Sequence, residues 1–115
     1  MKRKCDDDLR MFFSHILENI EEIEKFSKNI SKSAFKKDTK THYAVLRALE
    51  IIGEAVKNIP DSYRDKYPAI PWKGMAGMRD VLIHDYFGVD LDEVWGVVKK
   101  DIPKLKKEMA KLPVG

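Results

Sequence analysis

The stretch DTKTHYAVLRALEIIGEAVKNIP, from Asp38 to Pro60, decides the fold class. Val45, Leu46, Leu49, Ile52, Ala55, Val56 and Ile59 recur at spacings of three and four, which winds them onto one broad apolar face of a helix. Asp38 or Thr39 offers an N-cap, and Pro60 fixes the end, because the residue before a proline is pushed out of the helical region. Nothing in the stretch alternates with the period of a strand.

Working outward, the same period continues on both sides. Leu9, Phe12, Phe13, Ile16, Ile20, Ile23 and Ile30, widened by Phe26, predict a first helix from about Asp7 to Asn29. Asp6, Asp7 and Asp8 suit the positive end of its dipole. The polar, lysine-rich run from Ser31 to Lys40, broken only by Ala34 and Phe35, reads as a connection. After Pro60, residues 61–67 predict a short helix led by a cap at Asp61, and Pro68 and Pro71 impose a turn. Another helix starts near Trp72 and stops no later than Gly88. Asp90 caps the last one, which carries Val94, Trp95, Val98, Ile102, Leu105, Met109 and Leu112, and which Pro103 should bend or interrupt. The expectation is an all-α, up-and-down four-helix bundle with one additional short helix, in a single domain over residues 1–115.

Bulk properties narrow the function classes. A chain of 115 residues, 43% hydrophobic and 36% charged, has the composition of one soluble globular domain. No apolar run is long enough to span a membrane, and Met-Lys-Arg-Lys is followed by Cys5-Asp6-Asp7-Asp8 rather than by a signal-peptide core, so a cytoplasmic home is expected. A single cysteine, Cys5, excludes an internal disulfide and receives no role. The net charge of +3 is too small to argue for nucleic acid by itself. Lys99, Lys100, Lys104, Lys106, Lys107 and Lys111 form a basic C-terminal face that serves either a phosphate backbone or plain solvation.

The chemistry concentrates in RDVLIHDY, Arg79 to Tyr86. Arg79 brings a rigid fork of donors that matches phosphate oxygens. His84 brings an imidazole, a group able to accept and donate protons near neutrality. Together they are the parts needed to activate an RNA 2′-hydroxyl and to stabilise a crowded phosphorane-like transition state, with no metal required. Asp80 and Asp85 read as polar surface or local caps. His15, beside the apolar stripe of the first helix, reads as structural, and His42, among polar neighbours, as surface. Neither forms a metal-ligand pattern. On a straight helix Arg79 and Tyr86 share a face, whereas His84 points roughly 140° away from Arg79. The three converge only if the helix loosens near Ile83 to Asp85, or if two subunits each contribute. Met75, Ala76 and Met78 with Gly74 and Gly77 point to a close helix contact that would suit the second route.

At this point the sequence resembles the HepT-like toxins of the HEPN superfamily. Arg79, His84 and Tyr86 match the R-x4-H-x-Y signature, residues 46–55 (LRALEIIGEA) resemble the family's second-helix segment, and Pro71-Trp72 resembles the lead-in to the motif helix. The resemblance implies a HEPN-like bundle that dimerises with its two motif regions facing each other across a cleft. It also implies a metal-independent endoribonuclease, the toxin of a type VII-like toxin–antitoxin system, acting on RNA without a cofactor. Carried over, Arg79 and His84 are the catalytic pair. Tyr86 is the residue to which a partner nucleotidyltransferase antitoxin of the MntA type transfers AMP to silence the toxin. Glu54 is added as a carboxylate that orients Arg79 or His84, and Arg47 as its partner or a phosphate contact, with Asp80 as a further supporting residue. The alternative is a non-catalytic helical module that docks a nucleotidyltransferase and holds a nucleotide or its substrate.

Overall fold

A computed structural model of the chain describes the backbone of residues 4–84 and 88–112 and the side chains of residues 8–82 and 88–112. Helix α1 spans Lys4–Ser27, α2 Lys32–Lys37, α3 Thr39–Asn58, α4 Asp61–Arg64, α5 Trp72–His84, α6 Leu91–Gly96 and α7 Ile102–Met109. One π-helical turn, Val97–Asp101, joins α6 and α7 into a single rod. The described residues contain no strand. Four long rods thus make the all-α bundle that the periodicity predicts, accompanied by two short helices rather than one.

Helix α3 is the hub. It packs along α1 on one flank and along α5 on the other, while α2 bridges α3 and α6. Val45, Leu49, Ile52 and Val56 of α3, and Ile16, Ile20 and Ile23 of α1, are completely shielded from solvent. Each such side chain contributes roughly 1.5–3 kcal/mol by leaving water. The ends of α3 follow its sequence. Asp38 accepts from the Thr41 N–H at 3.1 Å and the Thr41 hydroxyl at 2.7 Å, which holds its carboxyl below the usual aspartate range. Ile59 turns extended just before Pro60.

Three expectations change. The run from Ser31 to Lys40 is not a plain connection: Ser31 caps α2 by accepting from the Ala34 N–H, and Phe35 anchors it, fully buried with its ring tilted against Trp95 at 5.1 Å between centroids. A helix of six residues is too short to show a period, so only its cap and its one apolar anchor announce it. His42 is buried rather than on the surface, because α2 folds back over the first turn of α3. Its Nδ1 lies 3.2 Å from the Phe35 carbonyl, and since a carbonyl only accepts, Nδ1 carries the proton. Asp61 lies inside α4, where it pairs with Arg64, while Pro60 takes the cap position.

Pro103 acts as expected, by a specific device. Its ring removes the N–H that would reach the Lys99 carbonyl and crowds that oxygen. The preceding turn widens, and Ile102 N–H bonds back to Val97. The rod then resumes with Ile102, Leu105 and Met109 buried. The basic C-terminal face is partly spent on contacts within the chain: Lys106 reaches Glu24 of α1 at 2.9 Å, and Lys99 lies over the Trp95 ring. Trp72 is a core anchor whose indole N–H donates to the Arg64 and Tyr67 carbonyls, pinning the proline-rich link to the start of α5.

Candidate active site

The site begins with a glycine. At Gly53 the axes of α3 and α5 come so close that a β-carbon there would lie 2.7 Å from the Met75 carbonyl oxygen, and nearer still to Cβ of Arg79. Only glycine fits such an approach. The absent side chain lets Arg79 rest directly on α3, with a quarter of its side chain exposed.

Around Arg79 the next turns of both helices supply charges. Glu54 Oε2 lies 2.8 Å from Arg79 Nε, although the Nε–H is not aimed at it and makes no hydrogen bond. Arg79 Nη1 donates to Asp80 Oδ1 at 3.1 Å, and Lys57 Nζ donates to the same oxygen at 2.9 Å. Two cations and two carboxylates alternate across the α3–α5 seam. Hydrogen bonding to Asp80, with the nearby Glu54 charge, raises the Arg79 pKa above its ordinary value. Hydrogen bonds from Lys57 first, then Arg79, hold the Asp80 carboxyl below the usual aspartate range. The guanidinium is thus charged and oriented, and among the described residues its Nη2 makes no hydrogen bond.

Arg79 also lines a cleft of about 420 Å³ formed by α1, α3 and α5. Phe12 and His15 come from α1, and Arg47, Glu50, Ile51 and Glu54 from α3. Arg47 does not pair with Glu54: it bonds Glu50 at 3.0 Å and is two-thirds exposed, while Glu54 turns to Arg79. Glu54, Asp80, Arg47 and Arg79 therefore occupy one region, the first three through contacts that the sequence left open. His84 is the last residue of α5, and its side chain lies outside the described residues, as does all of Tyr86. Among the described residues no three His, Cys, Asp or Glu side chains gather as a metal-binding set.

Sequence reasoning gave no site role to Gly53, Lys57, Phe12 or His15. Lys57 stands three residues after Glu54, and so on the same side of α3. Gly53 interrupts an otherwise aliphatic face. Both signals were present. His15 is exposed and faces the cleft rather than serving the core, which depends on how α1 registers against α3 and has no sequence signature.

A family model for HepT-like ribonucleases matches residues 16–112. A protein of Thermococcus cleftensis named "Probable ribonuclease HepT" is 52% identical over 112 residues, covering 97% of this chain and 98% of that one. A Methanocaldococcus jannaschii protein named "Putative RNase" is 50% identical over 105 residues, or 91% of this chain and 87% of its own length. A second protein of that organism, named "Gamma-glutamylcyclotransferase and putative RNase", is 52% identical over 105 residues, and the match spans only 47% of its length. No solved structure matches the chain. The family-model match over residues 16–112 and the near end-to-end similarity place this protein in the HepT-like ribonuclease family.

Proposed function

We propose that this ribonuclease-family protein is a metal-independent endoribonuclease, the toxin of a toxin–antitoxin pair, with Arg79 and His84 as its catalytic groups. The observation that carries the reading is the setting of Arg79. A permanently charged guanidinium is held by Glu54 and Asp80 on the wall of an open cleft, and its Nη2, which makes no hydrogen bond among the described residues, can donate to a phosphate oxygen. In the reaction His84 takes the proton of an RNA 2′-hydroxyl. The oxygen attacks the adjacent phosphorus, the bond from phosphorus to the 5′-oxygen breaks, and that oxygen takes a proton from water as it leaves, the proton on His84 then returning to solvent. Arg79 neutralises the charge that builds on the phosphorane oxygens.

A second copy of the chain belongs to this reading. Helix α5 is regular as far as His84, so by register His84 stands roughly 140° around the helix from Arg79. The side of α5 turned away from α3 carries Gly74 and Gly77, with open space around both, and the half-exposed Val81. Among the described residues nothing approaches these two glycines closely, and Gly53 makes the close helix contact instead. A second α5 laid on this face would set the motif helices of the two copies side by side, with the His84 positions of both at the seam. Tyr86 is the acceptor of AMP from a partner nucleotidyltransferase, and the added anion would compete with RNA for Arg79. Among the described residues no helix is long and apolar enough to cross a membrane.

The test is cleavage of RNA by the purified full chain in the presence of a chelator. The parent should cut, while Arg79→Ala and His84→Ala, checked for native helicity, should not. Cleavage by His84→Ala at the parental rate, or a requirement for added metal, would overturn the mechanism. For control, intact mass after coexpression with the nucleotidyltransferase should rise by one or more AMP groups on the parent and stay unchanged in Tyr86→Phe.

A further inference from the structure

We propose that the cleft formed by α1, α3 and α5 is a subsite for one nucleotide of single-stranded RNA, adjoining the phosphate assigned to Arg79, and that His15 and Phe12 are its base-stacking residues. The inference rests on the reading of Arg79 as a phosphate ligand and extends it to the choice of substrate.

Size, lining and charge each bear on the occupant. A volume of about 420 Å³ falls at the small end of ligand clefts, enough for a base with its sugar. One part of the lining is apolar, Phe12, Ile51 and Ala55, and His15 follows Phe12 by three residues on the same side of α1. Phe12 is backed by the core, so its ring is a fixed platform. His15 is exposed, and among the described residues its ring makes no hydrogen bond to another protein group, which leaves its face and both nitrogens for a ligand. The other part is polar, with Arg47, Glu50, Glu54, Asn58 and Arg79. Two guanidiniums and two carboxylates leave the cleft near electrical balance, a poor trap for a bare anion. A nucleotide suits such a mixture. Its phosphates meet Arg79 and Arg47, its base stacks on Phe12 and His15, and the exocyclic amino group of cytosine, adenine or guanine donates to Glu50. Uracil has no such amino group and would bind more weakly. The Arg47–Glu50 pair is exposed and contributes little to stability, so both partners can turn to a ligand at small cost.

The experiment measures binding and cutting separately. The His84→Ala full chain is titrated with fluorescein-labelled ribotetranucleotides of each single base, and the otherwise unaltered chain is assayed on a random RNA pool with the cut sites sequenced. In the His84→Ala background the cytosine, adenine or guanine oligomers should bind more tightly than the uridine one. His15→Ala should weaken binding roughly tenfold, and Glu50→Gln should flatten the ranking among bases. In the cutting assay His15→Ala should erase the base preference at one position beside the cut and raise KM more than it lowers kcat. Unchanged affinity and unchanged cut-site preference in His15→Ala overturn the subsite while leaving the ribonuclease reading intact. Binding that depends on His15 with no cutting by the parent sustains the subsite and removes the ribonuclease reading. Absence of both binding and cutting removes both. If His15→Ala instead converts a dimer to a monomer in light scattering, the cleft is a contact between copies and the proposal fails.

Discussion

The two flanks of α3 are built on opposite principles. On the flank turned into the core the bundle is aliphatic: Ile16, Ile20 and Ile23 of α1 and the α3 residues Val45, Leu49, Ile52 and Val56 exclude water completely. Toward α5 the same helix offers a glycine, a glutamate and a lysine, and receives Met75, Arg79 and Asp80. One flank gains its stability from area, the other obtains proximity and charge at little expense to area. The lesson is that a single helix can carry the core and the site side by side. Residues three or four apart serve one purpose, and those one apart serve the other.

Substitutions on the two flanks should therefore separate stability from activity. The largest effect is expected from Ile52→Ala on the aliphatic flank: a loss of about 2–5 kcal/mol in denaturant unfolding, with cleavage per folded molecule unchanged. A parallel loss of specific activity would show that the flanks are not independent. Next comes Arg79→Ala, which should lower cleavage by roughly 100-fold or more while leaving Tm close to that of the parent. A collapse of Tm would make Arg79 a structural residue. Gly53→Ala sharpens the contrast because it touches both properties. The new methyl gains helix propensity of about 1 kcal/mol, but the Met75 carbonyl and Arg79 cannot yield so cheaply. A net loss of about 1–3 kcal/mol is expected, with cleavage down roughly tenfold from a displaced guanidinium.

The smallest effect concerns pH. Because the folded-state pKa of Asp80 is depressed, its contribution to stability is complete above the ordinary aspartate range and is lost as the pH falls through the folded value. Asp80→Asn should therefore lose a little stability at neutral pH and show a shallower decline than the parent on acidification from about pH 4 downward. Identical acid profiles would mean that the alternating charges across the seam contribute nothing.

The aliphatic flank was legible in the sequence because burial repeats. Every third or fourth residue from Val45 to Ile59 reports the same environment, and errors at one position are corrected by the next. The ionic flank was legible only in pieces. Arg79 and Glu54 could be named, the first through its motif, but Lys57 and Gly53 acquire meaning only when α5 is laid against α3, a distance no one-dimensional period encodes. His42 shows the same limit from the other side. Its neighbours in sequence are polar, and a helix of six residues, α2, folds over it. His15 went the other way, out of the expected structural role and into the cleft, because half a turn of helix rotation decides between them.

The π turn before Pro103 can be understood as a phase correction. From Val94 to Val98 to Ile102 the buried positions advance by four twice in succession. A strict α-helix would carry that stripe steadily around the axis, since four residues overshoot one turn by roughly 40°. The wide turn over Val97–Asp101 absorbs the surplus and returns Leu105, Met109 and Leu112 to the side that faces the bundle. The terminal rod is thus keyed rather than smooth. Forcing that turn into α geometry at unchanged length would rotate everything after it by roughly 80° and turn Leu105 and Met109 away from the bundle.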